Sequence, residues 1–233
     1  MATRPSHRGS RHVARACAVS PSITTQQQQA LNAYLDELDG WNHRINLTAV
    51  PRAVAWSRHV QQSLELLDVA GPSPGWSVVD VGSGNGAPGV IVAVVRPDLA
   101  MTLLEADARK AAFLAHVAGL LGLTNVHVAA MRAEAAGRLE SMRERIDLAF
   151  SRAAAPAPVL CELALPLVRR GGRLCALVGD AHAAALECAA AARLCGGGQP
   201  SAATPGMLVV AKVTGTPDAY PRRAGLPARL PLR

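Results

Sequence analysis

The residues best placed to do chemistry lie in "VVDVGSGNGAPGVIVAVV", Val78 to Val95, where an apolar run ends at Asp80 and glycines follow at 82, 84, 86 and 89. A strand that turns through glycines into a helix holds a ligand bearing phosphate, ribose or adenine, because backbone without Cβ atoms can approach it closely. A phosphate-cradling GxxxxGK[ST] loop is excluded, since no lysine follows the turn and the whole chain has only Lys110 and Lys212. Tight packing of a strand on a helix also uses glycines, and it is the plainer reading of such a turn taken alone.

The spacing Gly82-x-Gly84-x-Gly86, with Asp80 two residues ahead, differs from the GxGxxG of dinucleotide-binding turns. It resembles the D-x-G-x-G-x-G motif of S-adenosylmethionine (AdoMet)-dependent methyltransferases. AdoMet carries no pyrophosphate, so it has no need of a helix N-terminus aimed at an anion. Its cationic methionine head calls for a nearby carboxylate, the part this resemblance gives to Asp80, directly or through water.

Glu105 ends the next apolar run, "MTLLEA", 23 residues after Gly82. A carboxylate at that place accepts hydrogen bonds from vicinal ribose hydroxyls. Asp107, two residues on, reads as the cap of the helix that follows. "MRAEA", Met131 to Ala135, stands where a methyltransferase places adenine contacts, which makes Ala133 and Glu134 candidates through backbone or carboxylate.

The methyl acceptor is constrained by "DLAFSRAAAP", the end of the fourth apolar run. The [DN]PP[YF] signature that holds an exocyclic amine is absent there. Cys161, in "VLCELAL", reads as a packing residue rather than the nucleophile of cytosine-C5 chemistry. Guanine N7 has an in-plane lone pair and no proton, so its methylation needs neither a general base nor a covalent intermediate, only alignment.

Arg152 is the candidate for that alignment, contacting guanine, a phosphate or AdoMet. An ion pair with Asp147 or Glu162 is the alternative. His59, beside Arg58 in "RHVQQSL", reads as a structural or solvent-exposed histidine.

The elements that must position these residues are read from period and punctuation. "TTQQQQALNAYLDELDGWN" has a threonine cap and apolar Leu31, Tyr34, Leu35, Leu38 and Trp41 at helical spacing. "AVAWSRHVQQSLELLDVA" is a second helix, ended by "GPSPG". These helices predict an N-terminal helical cap over residues 23–72.

From Trp76 the chain alternates short apolar strands with helices. That pattern predicts an α/β fold, a mainly parallel, doubly wound sheet covered on both faces, with ligand beyond the carboxyl ends of its strands. The expected domain spans residues 73–214. "CGGGQPSAATPG", Cys195 to Gly206, reads as a flexible connection before a last strand, "MLVVAKV".

Composition narrows the classes further. The formal net charge is +7, and residues 1–20 and 219–233 each carry four arginines and no acid. Basic ends can meet nucleic-acid phosphates. Residues 1–22, rich in Ser, Gly and Arg, are expected to be a disordered tail, although an Arg-rich, acid-poor start also fits a transit peptide.

Aromatics make up 3% of the chain, which argues against RNA modules that stack bases on rows of rings. The five cysteines form no CxxC pair, so neither a disulfide framework nor a metal site is expected, and a reducing cytoplasm fits. No stretch reaches the roughly 18 apolar residues of a membrane helix.

Several segments together are similar to one family, the RsmG (GidB) ribosomal RNA small-subunit methyltransferases. They are "WNHRINLTAV", "RHVQQSL", "VVDVGSGNGAPGV", "TLLEADARKAAFL", "RAE", "SRA" and "YPRRAGLPARLPL", from about Tyr34 to Leu232. The resemblance implies a class I, Rossmann-like methyltransferase that methylates guanine N7 in bacterial small-subunit rRNA, free or in the 30S particle. It places AdoMet contacts on Gly82, Ala87, Ala133, Glu134 and Arg152, with Asp80, Gly84 and Glu105 beside them.

Three departures stand out. Ala87 replaces a bulky apolar residue, Gln62 replaces the Asp of "RH..DSL", and residues 1–20 lie outside the match. In the basic tail, 215–233, Arg222 and Arg223 are candidates for rRNA phosphates; a proline-stiffened strap on the protein surface is the alternative. Two other functions fit parts of the pattern: an NAD(P)-dependent dehydrogenase, and a non-catalytic RNA-binding protein on a methyltransferase scaffold.

Overall fold

A computed structural model describes residues 23–152 and 154–233. The expectation for residues 1–22 lies outside the described residues. The first helix, α1 (Thr25–Asn42), starts at a capping box in which the Thr24 hydroxyl accepts from Gln27 N and the Gln27 side chain accepts from Thr24 N. Its buried face is Leu31, Tyr34, Leu35 and Leu38, the predicted stripe. Trp41 packs its ring 5.6 Å from that of Phe113.

Asn42 then folds the next loop onto itself. Its Oδ1 accepts from Leu47 N and Thr48 N, and its Nδ2 donates to Thr48 O. This side chain substitutes for regular backbone pairing and fixes the "NLTAV" segment.

The second predicted helix is helical throughout but not uniform: α2 (Arg52–Ala55) passes through a π-helical turn, Trp56–Gln61, into α3 (Gln62–Ala70). Gly71, at φ 50°, ends it in the left-handed region.

Among the described residues the sheet has seven strands, in the order β3-β2-β1-β4-β5-β7-β6. In chain order these are β1 (Ser77–Val81), β2 (Ala100–Leu104), β3 (Val126–Ala129), β4 (Ile146–Arg152), β5 (Val168–Leu177), β6 (Ser201–Thr204) and β7 (Met207–Ala211). The first five run parallel, and β7 pairs antiparallel with β5. The order reverses between β1 and β4, and there the glycine turn emerges.

Both faces are covered, as expected for apolar strands without a solvated side. Val78, Leu103, Leu148 and Phe150 pack with α1, α3, α4 (Gly89–Val95) and α5 (Ala108–Leu120). Val79, Val81, Leu104 and Ala149 face the other way, toward α7 (Ala157–Ala164) and α8 (Ala181–Leu194).

One expectation is corrected. The stretch read as a flexible connection contains β6, which pairs antiparallel with β7 through Ser201↔Val209 and Ala202↔Leu208. Ser, Ala and Thr carry little strand signal of their own, but without β6 the β7 backbone would be an unpaired edge.

The tail is strapped to the second face. Buried Lys212 donates to Leu165 O and Thr216 Oγ1 and lies 3.0 Å from Glu144 Oε1. Beyond it, a short helix, α9 (Leu226–Arg229), follows Gly225.

Candidate cofactor-binding site

The carboxyl end of β1 releases the chain into a turn in which Gly82, Gly84 and Gly86 all take positive φ, 72°, 51° and 94°. Gly82 is doubly constrained, because a Cβ on it would lie 2.7 Å from the Ala154 Cβ. A cavity of about 560 Å³ opens over this turn. It is lined by Gly82, Gly84 and Ala87 of the turn, by Glu105, and by Arg58, His59 and Arg152.

Glu105 is anchored from both sides. Its Oε2 accepts from Gly84 N at 2.9 Å and its Oε1 from Asp107 N at 2.8 Å. Each carboxylate oxygen can accept a second hydrogen bond, which suits a pair of ribose hydroxyls. Asp107 caps α5, accepting from Arg109 N and Lys110 N, as its spacing predicts.

Arg152 ends β4 and reaches over the turn. It donates to Arg58 O at 2.9 Å and to Asn85 Oδ1 at 3.3 Å. The alternative of an ion pair with Asp147 or Glu162 does not hold, for Asp147 pairs with Arg169 and Glu162 with Arg222. Burial lowers the Arg152 pKa, with the neighbouring Arg58 acting in the same direction and Tyr34 and Asp80 against it.

Two expected contacts are turned elsewhere. Asp80 is 1% exposed and does not line the cavity; its Oδ2 accepts from Gly89 N at 3.0 Å and ties β1 to the start of α4. Burial pushes this carboxyl up to about 7, against the opposing effects of the Gly89 hydrogen bond and the Arg152 charge. The Glu134 carboxylate accepts from Gly225 N at 2.8 Å and so holds the tail.

What Glu134 and Ala133 retain is their backbone, in the short helix α6 (Ala133–Ala136) that follows β3. They stand outside the cavity wall, on the side where β3 pairs with β2 and Glu105 N donates to Ala129 O. The structure therefore gathers Gly82, Gly84, Ala87, Glu105 and Arg152 around one cavity, and sets Asp80, Ala133 and Glu134 behind or beside it.

The cavity also takes residues that the sequence did not assign to the site: Thr48 and Gln62 of the cap and Asn85 of the glycine turn line it. Asn85 is the junction: its carbonyl accepts from the Tyr34 hydroxyl, and its Oδ1 accepts from Ala87 N and from Arg152. His59, read as structural or exposed, is 1% exposed and lines the cavity. Burial, then the charges of Arg152 and Arg58, push its pKa down to about 4, so the imidazole is neutral.

A second cavity, of about 670 Å³, shares Arg152 and Gln62 with the first and continues past the ends of β4 and β5 to Leu160, Leu177 and Met207. Arg152 thus borders both cavities, one over the glycine turn and one past the ends of β4 and β5.

Glycines without Cβ atoms, an anchored carboxylate and two arginines around one cavity fit AdoMet, a long ligand with an adenosine end and an amino-acid end. The family model for rRNA small subunit methyltransferase G (GidB) matches residues 27–205. A Moorella thermoacetica protein named ribosomal RNA small subunit methyltransferase G is 39% identical over 91% of this chain and 93% of its own. One of the same name from Chloroflexus aggregans is 38% identical over 90% and 92%.

Among solved structures, a SAM-dependent O-methyltransferase from Thermotoga maritima superposes with a TM-score of 0.56 at 15% identity, over 79% of this chain and 73% of that one. That likeness establishes the Rossmann-like class I methyltransferase fold. The glycine turn, Glu105 and Arg152 thus sit in an AdoMet-dependent rRNA methyltransferase, and the chain belongs to the ribosomal RNA small subunit methyltransferase G family.

Proposed function

We propose that this enzyme methylates N7 of a guanine in small-subunit rRNA. The observation that supports the reading is that the cavity over the glycine turn and the second cavity share Arg152, a side chain that donates hydrogen bonds and takes up no proton. His59, the one histidine in the cofactor cavity wall, is buried there. Guanine N7 needs no proton removed, whereas an exocyclic amine or a hydroxyl does.

AdoMet, when bound, supplies a methyl group on a positively charged sulfur that leaves as a neutral thioether. The chain's part is placement. Glu105 and the glycine turn hold the ribose side, the backbone of Ala133 and Glu134 borders the adenine side, and Arg152 stands where donor and acceptor meet. A guanidinium can donate to guanine O6, the atom beside N7, and thereby turn the lone pair toward the methyl.

The same reading assigns rRNA phosphate contact to the exposed tail residue Arg223 and places the enzyme with small ribosomal subunits in the cytoplasm. Incubation with tritiated AdoMet and either naked small-subunit rRNA or 30S particles tests the proposal. Label in 7-methylguanine on either substrate is expected; no such label on both overturns it. RNA binding without turnover would instead favour the non-catalytic scaffold.

A further inference from the structure

Among the described residues, His59 Nδ1 is the buried side-chain nitrogen or oxygen left with no hydrogen-bond partner. An orphan polar atom of this kind costs about 1–3 kcal/mol and signals something that partners it when present. The π-helical turn, Trp56–Gln61, delivers this imidazole to the cofactor cavity. Such turns interrupt the regular ladder and gather at functional sites.

The tautomer follows from the other ring nitrogen. His59 Nε2 lies 3.3 Å from Thr48 Oγ1, and that oxygen already accepts from Val50 N. If the Thr48 hydroxyl donates to Nε2, a single group is unmet, the Nδ1–H. The reverse arrangement leaves both the hydroxyl proton and a bare Nδ1 unmet. The first arrangement satisfies more groups, so Nδ1 carries the proton, a buried donor on a residue that lines the cavity.

Its surroundings select the acceptor. Arg58 and Arg152 line the same cavity and act electrostatically on His59, so the unmet N–H sits in a cationic field. The carboxylates of the site are held by backbone donors, Glu105 by Gly84 N and Asp107 N and Asp80 by Gly89 N. An acceptor that carries negative charge is therefore favoured, and the one anion in AdoMet is the carboxylate of its amino-acid end.

We propose that His59 donates its Nδ1–H to the methionine carboxylate of AdoMet, with Arg58 and Arg152 supplying the positive field around it. The cap thereby binds the amino-acid end of the cofactor while Glu105 binds the ribose. This rests on AdoMet as the cofactor and is independent of guanine N7 as the acceptor.

Calorimetry on the full chain tests it with two ligands, S-adenosylhomocysteine, which has the amino-acid end, and 5′-methylthioadenosine, which lacks it. His59→Ala is expected to weaken S-adenosylhomocysteine at least tenfold and to leave 5′-methylthioadenosine within about twofold, a charge-assisted bond being the difference. His59→Asn, whose amide nitrogen falls near the Nδ1 position, is expected to restore most of the loss.

Equal weakening of both ligands by His59→Ala and His59→Asn would assign His59 to packing and overturn the proposal. Unchanged binding of both would overturn it too. Should the rRNA assay fail while the ligand pair behaves as stated, the acceptor reading falls and this one stands.

Discussion

Arg222 closes on the Glu162 carboxylate with two side-chain hydrogen bonds, Nε to Oε1 at 2.8 Å and Nη2 to Oε2 at 2.6 Å. The carboxylate side chain has no exposed surface, and Arg222 N donates to it as well. Of the two tail arginines read as RNA contacts, this one is therefore committed to the fold, and its neighbour Arg223 is exposed. Arg222→Ala leaves a buried carboxylate uncompensated and should cost about 3–5 kcal/mol. Arg223→Ala should change stability by less than about 0.5 kcal/mol and lower the salt slope of rRNA binding by about 1. Denaturant titration and filter binding at several salt concentrations separate the two.

Glu105 holds Gly84 N and Asp107 N with its two oxygens. Glu105→Gln presents an amide N–H to one of these donors, so one of the bonds is lost and the ribose wall loses its charge. S-adenosylhomocysteine should bind at least about tenfold more weakly to this variant, a charge-assisted bond contributing roughly 1.5–3 kcal/mol. The 2′-deoxyribose analogue should lose less, because it has one hydroxyl fewer to satisfy. Calorimetry with both ligands gives the comparison.

Gly89 and Gly84 serve different ends. A Cβ on Gly89 would lie 2.3 Å from Leu103 Cδ2 and 2.8 Å from Asp80 Oδ2, so Gly89→Ala should overpack the start of α4 and cost about 1–3 kcal/mol. Gly84 is open, its nearest neighbour being Gly82 O at 3.7 Å, but its φ is 51° and it lines the cavity. Gly84→Ala should cost about 1–2 kcal/mol of backbone strain and remain folded, with weakened cofactor binding. Melting curves with and without S-adenosylhomocysteine distinguish loss of fold from loss of site.

Two buried groups give the stability opposite pH dependences. Asp80, raised to about 7 by burial, contributes stability that is full below the ordinary carboxyl range and is lost as pH rises to about 7. His59, lowered to about 4 by burial and by Arg152 and Arg58, binds fewer protons folded than unfolded, so its contribution grows as pH rises from about 4 to about 6.5. Relative to the unsubstituted protein, Asp80→Asn should gain Tm across about pH 4 to 7. His59→Asn should lose it across about pH 4 to 6.5. Calorimetric melting at half-unit pH steps checks both slopes.

Much of this fold is legible because short apolar runs such as "SVVDV", closed by Gly82, and "AMTLL", closed by Glu105, alternate with helical stretches. Ser201–Thr204 escapes that reading because its strand character comes from the β7 edge it covers. The π-helical turn is equally silent, since nothing in "WSRHVQ" departs from helical composition. In the site, Gly82 and Glu105 follow from spacing along alternating elements, whereas Arg152 stays open between a site role and an ion pair until the family resemblance is added. The direction of a carboxylate does not: Asp80 turns to Gly89, and Glu134 to Gly225, 91 residues away. Asn85, Thr48 and His59 matter through partners that only the folded chain brings near.

The hydroxyl of Tyr34 on the carbonyl of Asn85 joins the cap to the glycine turn across 51 residues of sequence. A domain beginning at Trp76 would keep the strand, the glycines and Glu105, yet it would lack the donor that steadies Asn85 and the wall that holds His59. Any piece of this chain inherited, swapped or grafted as a cofactor site must therefore carry the cap together with the turn. The glycine motif marks that unit in sequence, but half of its shape is written upstream.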